Sequence, residues 1–141
     1  MSIFNPGVTL ESLNKLFTNT MVSHLGIEIT QVGDNFIEAR MPVDARTQQP
    51  LGLLHGGASV TLAETLGSVA ATCCVDPDTQ YCVGLDINAN HIKSVRSGYV
   101  FGITTPIHIG KRTQVWEIRI VNEKKELICI SRITMAVIDK R

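Results

Sequence analysis

The chain has 141 residues, 44% hydrophobic and 18% charged, which suits one domain able to bury a core without staples. Lys plus Arg and Asp plus Glu number 13 each, so the formal net charge is zero, and a chain with no positive field is a poor partner for nucleic acid. The start, Met1 to Pro6, lacks a basic region followed by an apolar run, and no apolar stretch approaches the roughly 20 residues of a membrane helix. The expectation is one domain over residues 1–141, cytoplasmic, with no membrane partner. The cysteines are Cys73, Cys74, Cys82 and Cys129. None forms a C-x-x-C pair, so their spacing offers no metal site and points to buried thiols in a reducing compartment.

In chain order, the first eight residues read as irregular, and Thr9 caps a short helix over Leu10 to about Thr18. Asn19 to Leu25 is ambiguous. Ile27 and Ile29 alternate with polar neighbours, as do Ile37, Ala39 and Met41. Gly33-Asp34-Asn35 between them signals a tight turn. Pro42 ends the second strand, and Val43 to Leu54 reads as a loop. From Gly56 to about Cys74 there is no proline, and the helix formers alanine, leucine and glutamate are present; one long helix is expected, stopped by Asp76-Pro77-Asp78.

Four strands follow. Tyr81, Val83, Leu85, Ile87 and Ala89 form one alternating set, and Tyr99, Phe101 and Ile103 a second. Trp116, Ile118 and Ile120 form a third, and Leu127 to Ile138 supplies the last after a polar turn at Asn122 to Lys125. Strict alternation gives each strand one buried and one wet face, as in antiparallel sheets. The order of elements is that of an α+β protein: one sheet with one long helix on its apolar face.

That helix carries the chemical anomaly. On a wheel advancing about 100° per residue, Leu62, Leu66, Val69 and Cys73 oppose Glu64 and read as the stripe packed on the sheet. Gly57, Val60, Thr61, Gly67, Ser68 and Ala71 surround Glu64. No other formal charge lies between Gly56 and Val75. Two readings fit: a carboxylate covered by another backbone or a ligand, with a raised pKa, or a surface glutamate on an Ala- and Gly-rich helix. Leu53-Leu54-His55-Gly56-Gly57 runs into the helix. Its first N–H groups lack partners and carry partial positive charge, so an oxyanion could sit there. Alternatively, the two glycines only ease the turn into the helix.

The run Gln49 to Ser59 resembles the hotdog-fold acyl-CoA thioesterases, together with Ala63-Glu64, Gly67-Ser68, Gly84 to His91, His108-Ile109-Gly110 and Gln114-Val115-Trp116. More narrowly it is similar to the subgroup acting on aromatic acyl-CoA, which includes the 1,4-dihydroxy-2-naphthoyl-CoA and enterobactin proofreading thioesterases. The similarity runs from about Thr9 to Val137. It implies a hotdog fold, a curved antiparallel sheet wrapped around one long helix. It implies Glu64 as nucleophile or general base, the Gly56 N–H polarising the thioester carbonyl, and Gln49, His55 and Ser68 in support. It also implies that Gly84, His91, Ile92, Lys93, Ser94, His108, Ile109, Gly110, Lys111, Arg112 and Thr113 contact CoA. Arg96 is a weaker candidate, and each cation could equally be a solvated strand-end charge. No cofactor is called for.

Gly56 and Glu64 are eight residues apart on one helix, hence about 12 Å along its axis, whereas a carbonyl at Gly56 must lie about 3 Å from its attacker. A two-fold dimer with antiparallel helices would let Gly56 of one chain face Glu64 of the other. The expected state is a homo-oligomer with shared sites, a homotetramer if two dimers pair. Three other readings compete. A serine hydrolase lacks its G-x-S-x-G elbow here, since Ser68 lies mid-helix. A hotdog dehydratase fits the context of His55 less well. A non-catalytic acyl-CoA sensor usually appends a DNA-binding segment, for which this chain has no room.

Overall fold

The structure is a computed structural model that describes residues 1–141. Two short helices, α1 (Leu10–Leu16) and α2 (Met21–His24), precede strands β1 (Glu28–Val32) and β2 (Ile37–Pro42). The long helix α3 (Gly56–Thr72) follows, then β3 (Gln80–His91), β4 (Tyr99–Ile109), β5 (Thr113–Val121) and β6 (Leu127–Asp139). The six strands form one antiparallel sheet in the order β1-β2-β4-β5-β6-β3. Helix α3 packs against β2, β3, β4, β5 and β6, which is the hotdog architecture. β3 lies at one edge, paired on one side only, with β6.

Local chemistry explains most boundaries. Thr9 and Ser12 form a reciprocal capping box at the start of α1. That helix stops at Leu16, with Phe17 at its C-cap and Asn19 in the left-handed region at φ 60°. The ambiguous stretch after it holds α2, capped by the Thr20 hydroxyl, which accepts the Val22 N–H at 3.2 Å. β4 runs on to Ile109, past the Tyr99–Ile103 pattern. It crosses Pro106 where the pairing register shifts, and a bulge tolerates a residue with no N–H.

A second bulge changes the reading of β3. The register shifts between Gly84 and Asp86, which turns the later part of the strand over. Tyr81 and Val83 are exposed, whereas Ile87 and Ala89 pack on the core. The single alternating set expected from Tyr81 to Ala89 is therefore two sets on opposite faces.

The wheel of α3 is also rotated from the expected one. Ala58, Ser59, Leu62, Ala63, Leu66, Gly67, Ala70 and Ala71 are buried, so the middle of the buried face lies nearer Ala63 and Ala70 than the Leu62–Val69 stripe. Gly67 and Ala71, expected beside Glu64 on the face away from the sheet, point into the sheet instead. Small residues there let the helix sit close to β5 and β6. The first residues, expected to be irregular, dock on the far end of the helix. The Asn5 N–H donates to the Cys73 carbonyl at 2.8 Å and Asn5 Nδ2 to the Val75 carbonyl at 2.6 Å, which satisfies acceptors left over at a helix C-terminus.

Candidate active site

The loop before α3 is held tightly. The His55 N–H donates to the Thr47 carbonyl at 2.8 Å, and the Leu54 N–H to the Val95 carbonyl at 2.8 Å. The buried Thr47 hydroxyl donates to the Pro42 carbonyl at 2.7 Å. Gln49 closes a turn in this loop: its carbonyl accepts the Gly52 N–H at 2.9 Å and its side-chain oxygen accepts the Leu51 N–H. His55 is the N-cap of α3, and its Nδ1 accepts the Gly57 N–H at 2.8 Å. That bond assigns the ring proton of the neutral imidazole to Nε2.

Capping satisfies Gly57, and Ala58 and Ser59 donate to the His55 carbonyl at 3.0 and 3.2 Å. The Gly56 N–H finds no acceptor in the chain. It opens into a cleft of about 320 Å³ lined by Gln49, Leu53, Leu54, Gly56, Ser59, His91, Ile92, Lys93, Ser94 and Ile128. The His91 ring lies against Gly56: a Cβ built on the glycine would stand 3.0 Å from His91 Nε2.

Glu64 sits in a different cleft, of about 340 Å³, with Phe17, Met21, Val22, Thr61, Thr65, Ser68 and Val69. Three side chains on this face turn back onto their own helix: Thr61 donates to the Gly57 carbonyl at 2.9 Å, Thr65 to Thr61 at 2.7 Å and Thr72 to Ser68 at 2.9 Å. Ser68 Oγ lies 3.8 Å from Met135 Sδ. Glu64 takes part in none of the six ion pairs. The single chain leaves Glu64 exposed. Of the two readings of its environment, the covered one is therefore not met inside one chain, where no other backbone covers it.

The residues expected to contact CoA separate into three places. His91, Ile92, Lys93 and Ser94 border the Gly56 cleft. Gly84 stands beside the Glu64 carboxylate. Ile109, Gly110, Lys111 and Arg112 line a third cleft of about 310 Å³ with Cys74, Gln80 and Asp139, near the C-terminal end of α3. His108 and Thr113 flank that hairpin, where His108 Nε2 and the Thr113 carbonyl approach Gly110. One chain thus does not bring the set together. Two of its cations already face carboxylates: Lys93 pairs with Glu126, and Arg112 with Asp139 at 3.2 Å. Hydrogen bonds from Gln80 and Arg112 hold the Asp139 carboxyl below its usual range. Exposed pairs of this kind are screened by water and contribute little, so a phosphate could replace the carboxylate. Arg96 offers its carbonyl to Gln48 Nε2 at 2.9 Å.

The apolar wall of the Glu64 cleft, Phe17, Met21 and Val22, carries no signature of a site in the sequence. It comes from the α1–α2 segment, whose short helices carry no strong periodicity. All four cysteines are free; burial pushes the Cys73 thiol up to about 11 and Cys74 to about 12.

The hotdog sheet thus carries a free helix-tip amide and an unpaired carboxylate on one helix, in separate clefts. The sequence matches the thioesterase superfamily over residues 51–129, more than half of the chain, and the chain belongs to that family. It is 52% identical over 136 residues to a 1,4-dihydroxy-2-naphthoyl-CoA hydrolase of Escherichia coli, covering 96% of this chain and 99% of that protein. It is 50% identical over 135 residues to a proofreading thioesterase of Cronobacter turicensis, covering 96% and 98%. Among solved structures, a mutant thioesterase from Pseudomonas aeruginosa superposes with a TM-score of 0.97 at 47% identity, covering 99% of this chain and 100% of that one. A thioesterase of Haemophilus influenzae gives 0.94 at 53% identity, covering 97% and 95%. The protein is a thioester hydrolase.

Proposed function

We propose that the protein hydrolyses acyl-CoA thioesters to the free acid and CoA in sites shared between two copies of the chain, residues 1–141 acting as one hotdog domain. Glu64 of one copy delivers the attack, as nucleophile or through a water. The Gly56 N–H of the other copy receives the charge that develops on the carbonyl oxygen. Gln49 and His55 support the carbonyl end, and Ser68 the carboxylate end.

The observation that carries this reading is the division of the site. The one helix-start N–H without a partner and the one carboxylate of α3 occupy separate clefts, eight residues and about 12 Å apart along the axis. Neither cleft is complete alone. β3 has an unpaired outer edge of 12 residues, and a long bare edge is a template for pairing with a second chain. Antiparallel pairing of two such edges would bring the start of one α3 toward the Glu64 cleft of the other. CoA would then draw on His91 to Ser94 of one copy and on the Gly110 hairpin of its mate, which accounts for the separation of those groups within a chain.

The acyl group would lie in the apolar cleft beside Glu64, against Phe17, Met21, Val22 and Val69. Aryl groups are in keeping with the naphthoyl-CoA named for the E. coli relative, and medium-length alkyl groups also fit, since apolar pockets separate similar shapes weakly. A kcat/KM panel across aryl and aliphatic acyl-CoAs, read as free thiol released, tests the assignment. The reading requires turnover that Glu64→Ala loses. Acyl-CoA binding without turnover in the parent protein would instead mark a non-catalytic binder.

A further inference from the structure

Gly84 stands on β3 at the bulge, on the side turned toward α3. A Cβ built there would lie 2.9 Å from Glu64 Oε2 and 4.0 Å from Glu64 Cδ. The first distance is shorter than a methyl carbon tolerates, so the carboxylate rests on bare backbone, in space that any side chain would fill. The next atom in the way, Ile133 Cδ1, is at 3.9 Å, an ordinary contact. The conflict is thus confined to the end of one flexible, exposed side chain, and the fold could admit a methyl group by moving that carboxylate alone. Glu64 has neither an ion pair nor a side-chain hydrogen bond in the chain to hold it elsewhere.

We infer that Gly84 is a positioning residue: its missing side chain leaves open the place against β3 where the Glu64 carboxylate lies, and hence the line along which it attacks. This rests on the reading of Glu64 as the attacking group. The family resemblance groups Gly84 with residues that touch CoA, and the two roles separate in the kinetics. Loss of a CoA contact raises KM and leaves kcat, whereas a displaced carboxylate lowers kcat and leaves KM.

The test is Gly84→Ala, measured with Glu64→Ala and the double variant, alongside oligomer size and thermal stability. The expected result is a kcat about ten- to a hundredfold lower, a KM within about threefold of the parent, and unchanged assembly. Adding Gly84→Ala to Glu64→Ala should cause no further loss, because the group it displaces is gone. If Gly84→Ala does not fold, the double variant decides, since removing the carboxylate vacates the space and should restore folding; a double variant equally unfolded overturns the inference. A raised KM with parental kcat also overturns it, as do losses that multiply in the double variant. Full activity in Glu64→Ala overturns the proposed function and this inference together. Loss in Glu64→Ala with parental kcat in Gly84→Ala overturns the inference alone.

Discussion

Gly67 of α3 lies so close to Ile133 of β6 that a Cβ on the glycine would stand 2.4 Å from Ile133 Cγ2. Both residues are buried, and neither has room to yield. Gly67→Ala should therefore destabilise the protein by about 1–3 kcal/mol through overpacking. The same change in an Ile133→Ala background should cost much less, because the opposing methyl is absent. Urea unfolding of the four proteins measures this; equal costs in both backgrounds would refute the contact.

The cap at the start of α3 gives a second expectation. His55→Ala removes the acceptor for the Gly57 N–H and should cost about 1 kcal/mol of stability. His55→Asn supplies another good N-cap acceptor and should restore most of it. Both variants should lose thioesterase activity, because neither retains the imidazole at the start of α3. A fall in activity that tracked thermal stability across the pair would reduce His55 to a structural cap.

The thiols should be inert in the folded protein. Burial raises Cys73 to about 11 and Cys74 to about 12, the latter also through the nearby Cys73 and Cys82. A raised thiol pKa keeps the group protonated at pH 8, so Cys73 should carry about 100-fold less thiolate than an ordinary cysteine. The linked stability is fully present below the usual thiol pKa and falls as pH climbs through the range from about 9 to 12. Titration with a chromogenic disulfide at pH 8 should show slow reaction at these two positions in the folded state and rapid reaction of all four thiols in denaturant. Fast modification of Cys74 in the folded protein would contradict its raised pKa.

Much of this architecture is legible in the residues. The alternating runs Ile37–Met41 and Trp116–Ile120 and the uninterrupted stretch from Gly56 expose the helix and strands directly, because periodicity follows from burial on one face. Two features escape. The bulge at Gly84 turns Tyr81 and Val83 away from the face that Ile87 and Ala89 share, and a one-residue register shift leaves the hydrophobic pattern of the strand intact. The wheel of α3 is misjudged because alanine and glycine pack inward as readily as leucine when the sheet approaches closely; Gly67 looks like an open-face residue and is a contact with Ile133. Glu64, Gly56 and His55 stand out as candidates by type and spacing, their roles being what the family resemblance implies. The wall of Phe17, Met21 and Val22 cannot, since only the tertiary fold brings the α1–α2 segment beside Glu64.

The most direct test of the shared site uses two variants, each defective in a different half. Gly56→Pro deletes the helix-tip N–H at the first helical position, where proline is well accepted; His55 precedes it with φ −68° and ψ 130°, a backbone that tolerates a following proline. Glu64→Ala deletes the carboxylate. Each homo-oligomer should be inactive. A mixed dimer has one site with both defects and one with neither, so co-refolding equal amounts should restore about a quarter of the parental activity by random pairing. Mixed dimers that form, as tagged pull-down would show, and yet remain as inactive as either parent variant would contradict the shared site.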